Sequence, residues 1–195
     1  MTISTYTELQ SAAASWLHRS DMTSVITDCI ALAEERFNRR LRTKAQELVL
    51  ASTTIDASYQ VAIPTNTLAI KRIWRTGTPV TVLDAASLDY VMQRQVGALA
   101  TAYAWEDGYW RFDGTGTVAG VLYRNIPPLA SNSTNWLLTA HPSAYLFATL
   151  AETAAFTQDA TNGGIWESKA ERAIGEIMVA DKRDSFSGPL LVRAA

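Results

Sequence analysis

The chain is predicted to be α+β, with N- and C-terminal helices packed as a helical bundle and a small, mainly antiparallel β lobe inserted in the middle. Three observations predict this. Apolar residues recur at three- and four-residue spacing up to about residue 43 and again beyond residue 142. Between these regions the period shortens to two, with Gly, Pro and Asp as punctuation. The order helices, strands, helices is that of an α+β chain whose ends pack together.

Residues 5–19 read as a first helix. Thr5 and Glu8 fit a capping box, and Leu9, Ala13, Trp16 and Leu17 share a face. The polar stretch RSDMTS (19–24) leads to a second helix, capped by Thr23 or Ser24 and running to about Thr43. Its buried stripe is Ile26, Ile30, Ala33, Phe37 and Leu41. These helices form a hairpin over residues 1–52, and a β lobe follows over 53–128. YQVAIP (59–64) is a strand stopped by Pro64. LAIKRIWR (68–75) alternates, with Leu68, Ile70, Arg72 and Trp74 on one face. A turn at Thr76-Gly77 gives way to PVTVLD (79–84), and residues 85–96 form a short helix. Asp107-Gly108 between aromatic residues marks a hairpin over 105–114, and TVAGVLYRN (117–125) is the last strand.

The loop IPPLASNSTN (126–135) returns to helix, and residues 129–184 form the C-terminal helices. Pro142 suits a first helical turn, where its missing N–H costs nothing. Leu146, Leu150 and Ala154 mark one face of that helix and Phe147, Ala151 and Ala155 the next, so it should be covered on many sides. Asn162-Gly163-Gly164 is expected to end it. A last helix runs from Trp166 to about Arg183, with Ala170, Ala173, Ile174, Ile177 and Met178 inward. Residues 185–195 form an extended, apolar tail, and the whole chain, 1–195, counts as one domain.

Composition narrows the function. Of 195 residues, 48% are hydrophobic and 18% charged, which describes an ordered globular protein. A net charge of −2 argues against a surface devoted to nucleic acid. The single Cys29 suits a reducing compartment, no secretory signal opens the chain, and no apolar run is long enough for a membrane span. No metal, cofactor or catalytic motif is present. His18 and His141 have no ligand spacing, and Cys29 reads as packing in an apolar helix. GTGTVAG (114–120) has the wrong glycine spacing for a dinucleotide loop and reads as turn and strand. Glu34-Glu35 and Asp107 read as solvated surface.

Two features point to partners. Arg36, Arg39, Arg40, Arg42 and Lys44 lie within nine residues free of acids. They complement a helix C-terminus, contact DNA phosphates, or meet an acidic partner surface. The tail, with Phe186, Pro189, Leu190, Leu191, Val192 and Arg193, is expected to pack on its own body, to be disordered, or to dock on a partner.

Residues 5–42 resemble the opening of the head-to-tail adaptor (connector) proteins of tailed bacteriophages. The residues that carry this are Tyr6, Leu9, Trp16, Arg19, Asp21, Ile30, Leu32, Ala33, Glu34, Arg39 or Arg40, Leu41 and Arg42. The stretch LYRNIPPLASNSTNWLLTAHPSAYLFATLAETAAFTQD (122–159) is similar to the strand, Ile-Pro loop, Asn-Trp-Leu-Leu and Pro-capped helix of the same family, and YQVAIPTNTLAIKRI to its strand–turn–strand. Cys29 departs from the larger residue expected there. The upper tail-tube proteins of short-tailed phages are similar too.

The resemblance implies a non-enzymatic virion protein without cofactors. It implies a ring, usually of about twelve copies, under the portal, joining head to tail, stopper or nozzle while genomic DNA passes through without sequence-specific contact. Such a protein assembles in the host cytoplasm. The tail then becomes the expected portal-docking segment, and the basic cluster faces either the channel or the portal. The alternative is a nucleic-acid-binding accessory protein using residues 36–44.

Overall fold

The computed structural model describes residues 3–95 and 97–185, and it is α+β. The chain divides into two compact units. One takes the residues up to Ala45 together with those from Ile126 onward, and the other is Gln46–Asn125.

The first unit is helical. Helix α1 (Tyr6–Leu17) opens on the expected capping box. The Glu8 N–H donates to Thr5 Oγ1 at 3.3 Å, and the Thr5 N–H donates to the Glu8 carboxylate at 3.0 Å. Helix α2 (Thr23–Arg40) buries Ile26, Ile30, Ala33 and Phe37, and Leu41 is buried just past its end. It stops at Arg40 rather than near Thr43 because Leu41 turns to extended backbone. A short helix α4 (Trp136–Ala140) is capped by Asn135, and α5 (Pro142–Thr157) starts on Pro142 as expected.

Helix α5 is buried along most of its length, including Ala144, Tyr145, Leu146, Ala148, Thr149, Leu150, Ala151, Thr153 and Ala154. Its cover comes from the same chain, since α1, α2, α4 and α6 (Ala160–Ser185) all pack on it. Asn162-Gly163-Gly164 does not end α5. The chain turns earlier, at Gln158 in a left-handed conformation (φ 57°), and Asp159 accepts the Asn162 N–H at 3.1 Å, so the glycines lie inside α6. Along α6, Ala170, Ile174 and Ile177 are buried, whereas Met178 is exposed.

The second unit holds two four-stranded sheets. Strand β1 (Glu47–Thr54) was not expected, because residues up to 52 were assigned to the helical hairpin. It pairs antiparallel with β8 (Thr117–Arg124), which also pairs with β3 (Thr67–Arg75), and β3 with the two-residue β4 (Thr81–Val82). The other sheet runs β2 (Gln60–Ala62), β7 (Tyr109–Phe112), β6 (Ala102–Glu106), β5 (Asp84–Ala85). Its β5–β6 pair is parallel and the rest antiparallel. The expected strand 79–84 is thus divided between the sheets. The helix expected over 85–96 is the shorter α3 (Leu88–Gln93). Both sheets feed one core, with Leu50, Ile73, Val118 and Leu122 from one and Val61, Trp110 and Phe112 from the other.

The alternation expected in β3 fails. Its pairing with β8 shifts register between Ile70 and Arg72, and an inserted residue in one strand changes which side chains face the core. Ile73 is therefore the buried residue, rather than Arg72 or Trp74. The hairpin is where the sequence placed it, with Asp107 (φ 27°) and Gly108 (φ 82°) at the turn.

GTGTVAG is turn and strand. Thr115 exchanges backbone hydrogen bonds with the 98–100 segment, accepting from the Ala100 N–H at 2.9 Å and donating to the Ala98 carbonyl at 2.7 Å. The neighbouring Asp113 carboxylate, buried, accepts from the Thr101 N–H at 2.8 Å and the Ala102 N–H at 2.9 Å. Gly114 is the residue this close approach demands, since a Cβ there would lie 2.3 Å from the Ala98 carbonyl oxygen and 2.8 Å from the Ala100 nitrogen. Gly114→Ala is therefore expected to destabilise this unit by about 2–3 kcal/mol. Denaturant unfolding, followed by fluorescence, measures it; a loss under about 0.5 kcal/mol would show that the backbone yields freely.

Candidate functional site

The polar side chains of the helical unit form two networks, and both start on α2. The first answers a problem set by the loop 126–135, whose backbone lies against an apolar core and needs hydrogen-bond partners. Asn38 Oδ1 accepts the Ile126 N–H at 2.8 Å. Glu34 Oε1 accepts the Leu129 N–H at 2.8 Å and the Tyr145 hydroxyl at 3.2 Å. Asn135 donates to the Pro127 carbonyl at 2.8 Å and to the Tyr145 oxygen at 2.7 Å, while its own oxygen caps α4 by accepting the Leu138 N–H at 2.9 Å. Phe37 packs edge-on against the Tyr145 ring, with centroids 4.9 Å apart.

Glu34 is only 7% exposed, so the expectation of a solvated carboxylate is corrected. Its position is four residues after Ile30 and three before Phe37, which puts it on the buried stripe itself. Burial raises its carboxyl above the usual range against the pull of its two hydrogen bonds. Burial, and then the Glu34 charge, likewise push the Tyr145 phenol upward. Glu35, by contrast, is exposed, and Asp107 sits in its turn.

The second network contains the basic cluster. The Arg36 guanidinium, 13% exposed, donates to Glu167 at 2.8 Å and Glu171 at 2.6 Å, and Glu152 lies 3.8 Å away. Arg40 grips Glu171 through both terminal nitrogens, at 3.1 and 2.9 Å. Hydrogen bonds from Arg36, opposed by partial burial and aided by Arg40, hold the Glu171 carboxyl below its usual range. Arg42 donates to the Asn38 carbonyl at 2.8 Å in the last turn of α2, where cations are favoured. The Lys44 ammonium donates to the Asp184 carbonyl at 2.7 Å. Arg39 differs, since its side chain is 67% exposed and, among the described residues, it pairs with Glu35, one turn back on the same helix. The structure thus brings Arg36, Arg40 and Lys44 onto α6, while Arg39 points away from that seam. Phe186, Pro189, Leu190, Leu191, Val192 and Arg193 lie outside the described residues.

A third cluster was not foreseen. Trp16 meets Phe147 and Trp166 edge-on at 6.1 and 5.4 Å, Phe147 and Trp166 stack at 6.1 Å, and the Lys169 ammonium lies 4.8 Å from the Trp166 ring. Trp16 stays 45% exposed because it closes this surface cluster rather than entering the core. Its signal in the sequence was only an aromatic residue on each of three helices. His18 adopts a left-handed conformation at the end of α1, and His141 marks the α4–α5 junction, where burial lowers its pKa. Cys29 is buried at 3% exposure. Among the described residues no group of His, Cys, Asp and Glu is placed to hold a metal ion, and no helix is long and apolar enough to cross a membrane.

Both networks fix how the helices and the loop of this unit sit. The model of the SU10 adaptor protein family matches residues 4–193. The chain belongs to that family of phage head-tail adaptors and is a structural component of the virion. No curated protein matches it.

Replacing Glu34 tests the first network. Glu34→Ala leaves the Leu129 N–H and the Tyr145 hydroxyl without their acceptor and is expected to cost about 2–4 kcal/mol. Glu34→Gln keeps an accepting oxygen and removes the charge. An acid whose folded pKa is raised adds stability that is full below its ordinary value of 4.5 and is lost as pH rises through the folded value. The stability of wild type relative to Glu34→Gln is therefore expected to fall as pH rises above the ordinary carboxyl value of 4.5. Denaturant unfolding at several pH values checks it, and a flat difference would mean that Glu34 does not titrate abnormally.

Proposed function

We propose that the chain is one subunit of a ring, of about a dozen copies, beneath the portal of a tailed phage. There it joins the head to a tail, stopper or nozzle protein and surrounds the passage of genomic DNA. The observation that carries this reading is the family match across residues 4–193. The packing of α5 by helices from both ends of the chain supports a helical bundle as the rigid body of each subunit. Many copies around one axis let individually weak contacts add up through avidity. On this reading the ring assembles in the host cytoplasm, and Phe186, Pro189, Leu190, Leu191, Val192 and Arg193 dock on the portal.

Native mass determination of the protein with its cognate portal protein is expected to give a portal complex carrying about a dozen added copies. Deleting residues 185–195 should leave the far-ultraviolet circular dichroism of the body intact and abolish that complex. Wild-type binding by the shortened chain overturns docking through the tail.

The basic cluster enters this reading through Arg39. Arg36 and Arg40 are engaged by Glu152, Glu167 and Glu171, so their replacement disturbs the fold as well as any partner. Arg39→Glu removes only an exposed pair and is expected to change stability by less than about 0.5 kcal/mol. It should slow assembly onto the portal several-fold if Arg39 faces an acidic portal surface. An unchanged rate assigns Arg39 to the channel side instead.

A further inference from the structure

We propose that residues 189–193, Pro-Leu-Leu-Val-Arg, have a seat on their own subunit: the groove between the start of α5 and the last turns of α6. The groove has a volume of about 230 Å³ and is lined by His141, Ser143 and Ala144 at the start of α5 and by Ala173, Glu176, Ile177 and Ala180 on α6. The four α6 residues fall at positions i, i+3, i+4 and i+7, so they form a single stripe along the helix. Ser185, five residues past Ala180, is the last described residue of α6.

Reach selects this groove. Leu190 to Val192 follow Ser185 by five to seven residues, a span of at most about 25 Å when extended. Along the axis of α6, at about 1.5 Å per residue, Ala180 lies about 7.5 Å and Ala173 about 18 Å from Ser185. A larger groove of about 560 Å³ lies at the α5–α6 turn, lined by Ala154, Ala160 and Gly163 among others. Gly163, however, is about 33 Å up the axis, beyond the reach of those three residues.

Chemistry agrees with reach. Two leucines and a valine match the alanines and Ile177, and Arg193 supplies the charge opposite to Glu176. Among the described residues Glu176 is bound to Arg172, in a pair whose side chains are 65% and 81% exposed, and such a pair exchanges partners at little cost. A tail held here is withheld from other partners, so a portal would compete for it. That consequence rests on the docking proposed above, whereas the seat itself does not.

A disulfide test examines the seat without any portal. The full chain carrying Ala180→Cys and Leu191→Cys is compared at micromolar concentration with one carrying Met178→Cys and Leu191→Cys. Met178 is exposed, lies within the same reach of Ser185 and points to another side of α6, and the native Cys29 is buried. Under mild oxidation the first pair should close within one chain at least about tenfold faster than the second. Equal rates overturn the proposal, as do bonds formed only between chains, which give the seat to a second copy. Amide exchange needs no cysteine. Removing residues 186–195 should speed exchange across 173–180 at least about threefold, and unchanged exchange overturns the seat.

Discussion

The helical unit depends on one carboxylate oxygen. Glu34 Oε1 receives both the Leu129 N–H and the Tyr145 hydroxyl, and through Tyr145 it reaches Asn135, the residue that caps α4. Three parts of the chain far apart in sequence meet there: α2, the loop that follows β8, and the helices that begin after it. A charge in such a place opposes burial, as the raised carboxyl shows, and it persists because the groups it serves would otherwise be unpaired. Polar chemistry thereby fixes the path of an uncharged segment that apolar packing alone would leave free to slide.

The Arg36 network does comparable work at the other side of α2. Arg36 and Arg40 bind carboxylates 131 residues away, so the cluster joins the second helix to the last. Its partly buried member, Arg36, is held by more than one acid, and a network of this kind contributes more than isolated surface pairs do. Unit by unit, then, the chain is organised by contacts of long sequence separation, with the sheets drawing one core from strands of both.

Much of this was legible from local pattern. The stripe of α2, the capping box of α1, the Pro142 start of α5 and the Asp107-Gly108 turn each follow from residues within one or two turns of one another. What escaped depended on distant partners. Glu34 read as solvent-facing because neighbouring Glu35 is, and only Leu129 and Tyr145 show otherwise. The basic run suggested an external surface because its acids lie on α5 and α6. Strand β1 follows a helix with no glycine or proline between, so nothing local announced it, and the register shift in β3 exists only in its pairing with β8. The candidate site was legible chiefly as a series of family motifs, and the tail residues remain outside the described part of the chain.

The covering of α5 has a consequence for how copies of this chain come together. A helix buried on so many sides could in principle be completed only by a neighbour, in which case folding and association would be a single event and stability would depend on protomer concentration. Here α1, α2, α4 and α6 close around α5 within one chain. In the ring proposed above, each copy would therefore arrive with this helix already covered, and joining its neighbours would be a meeting of finished surfaces rather than a coupled folding step.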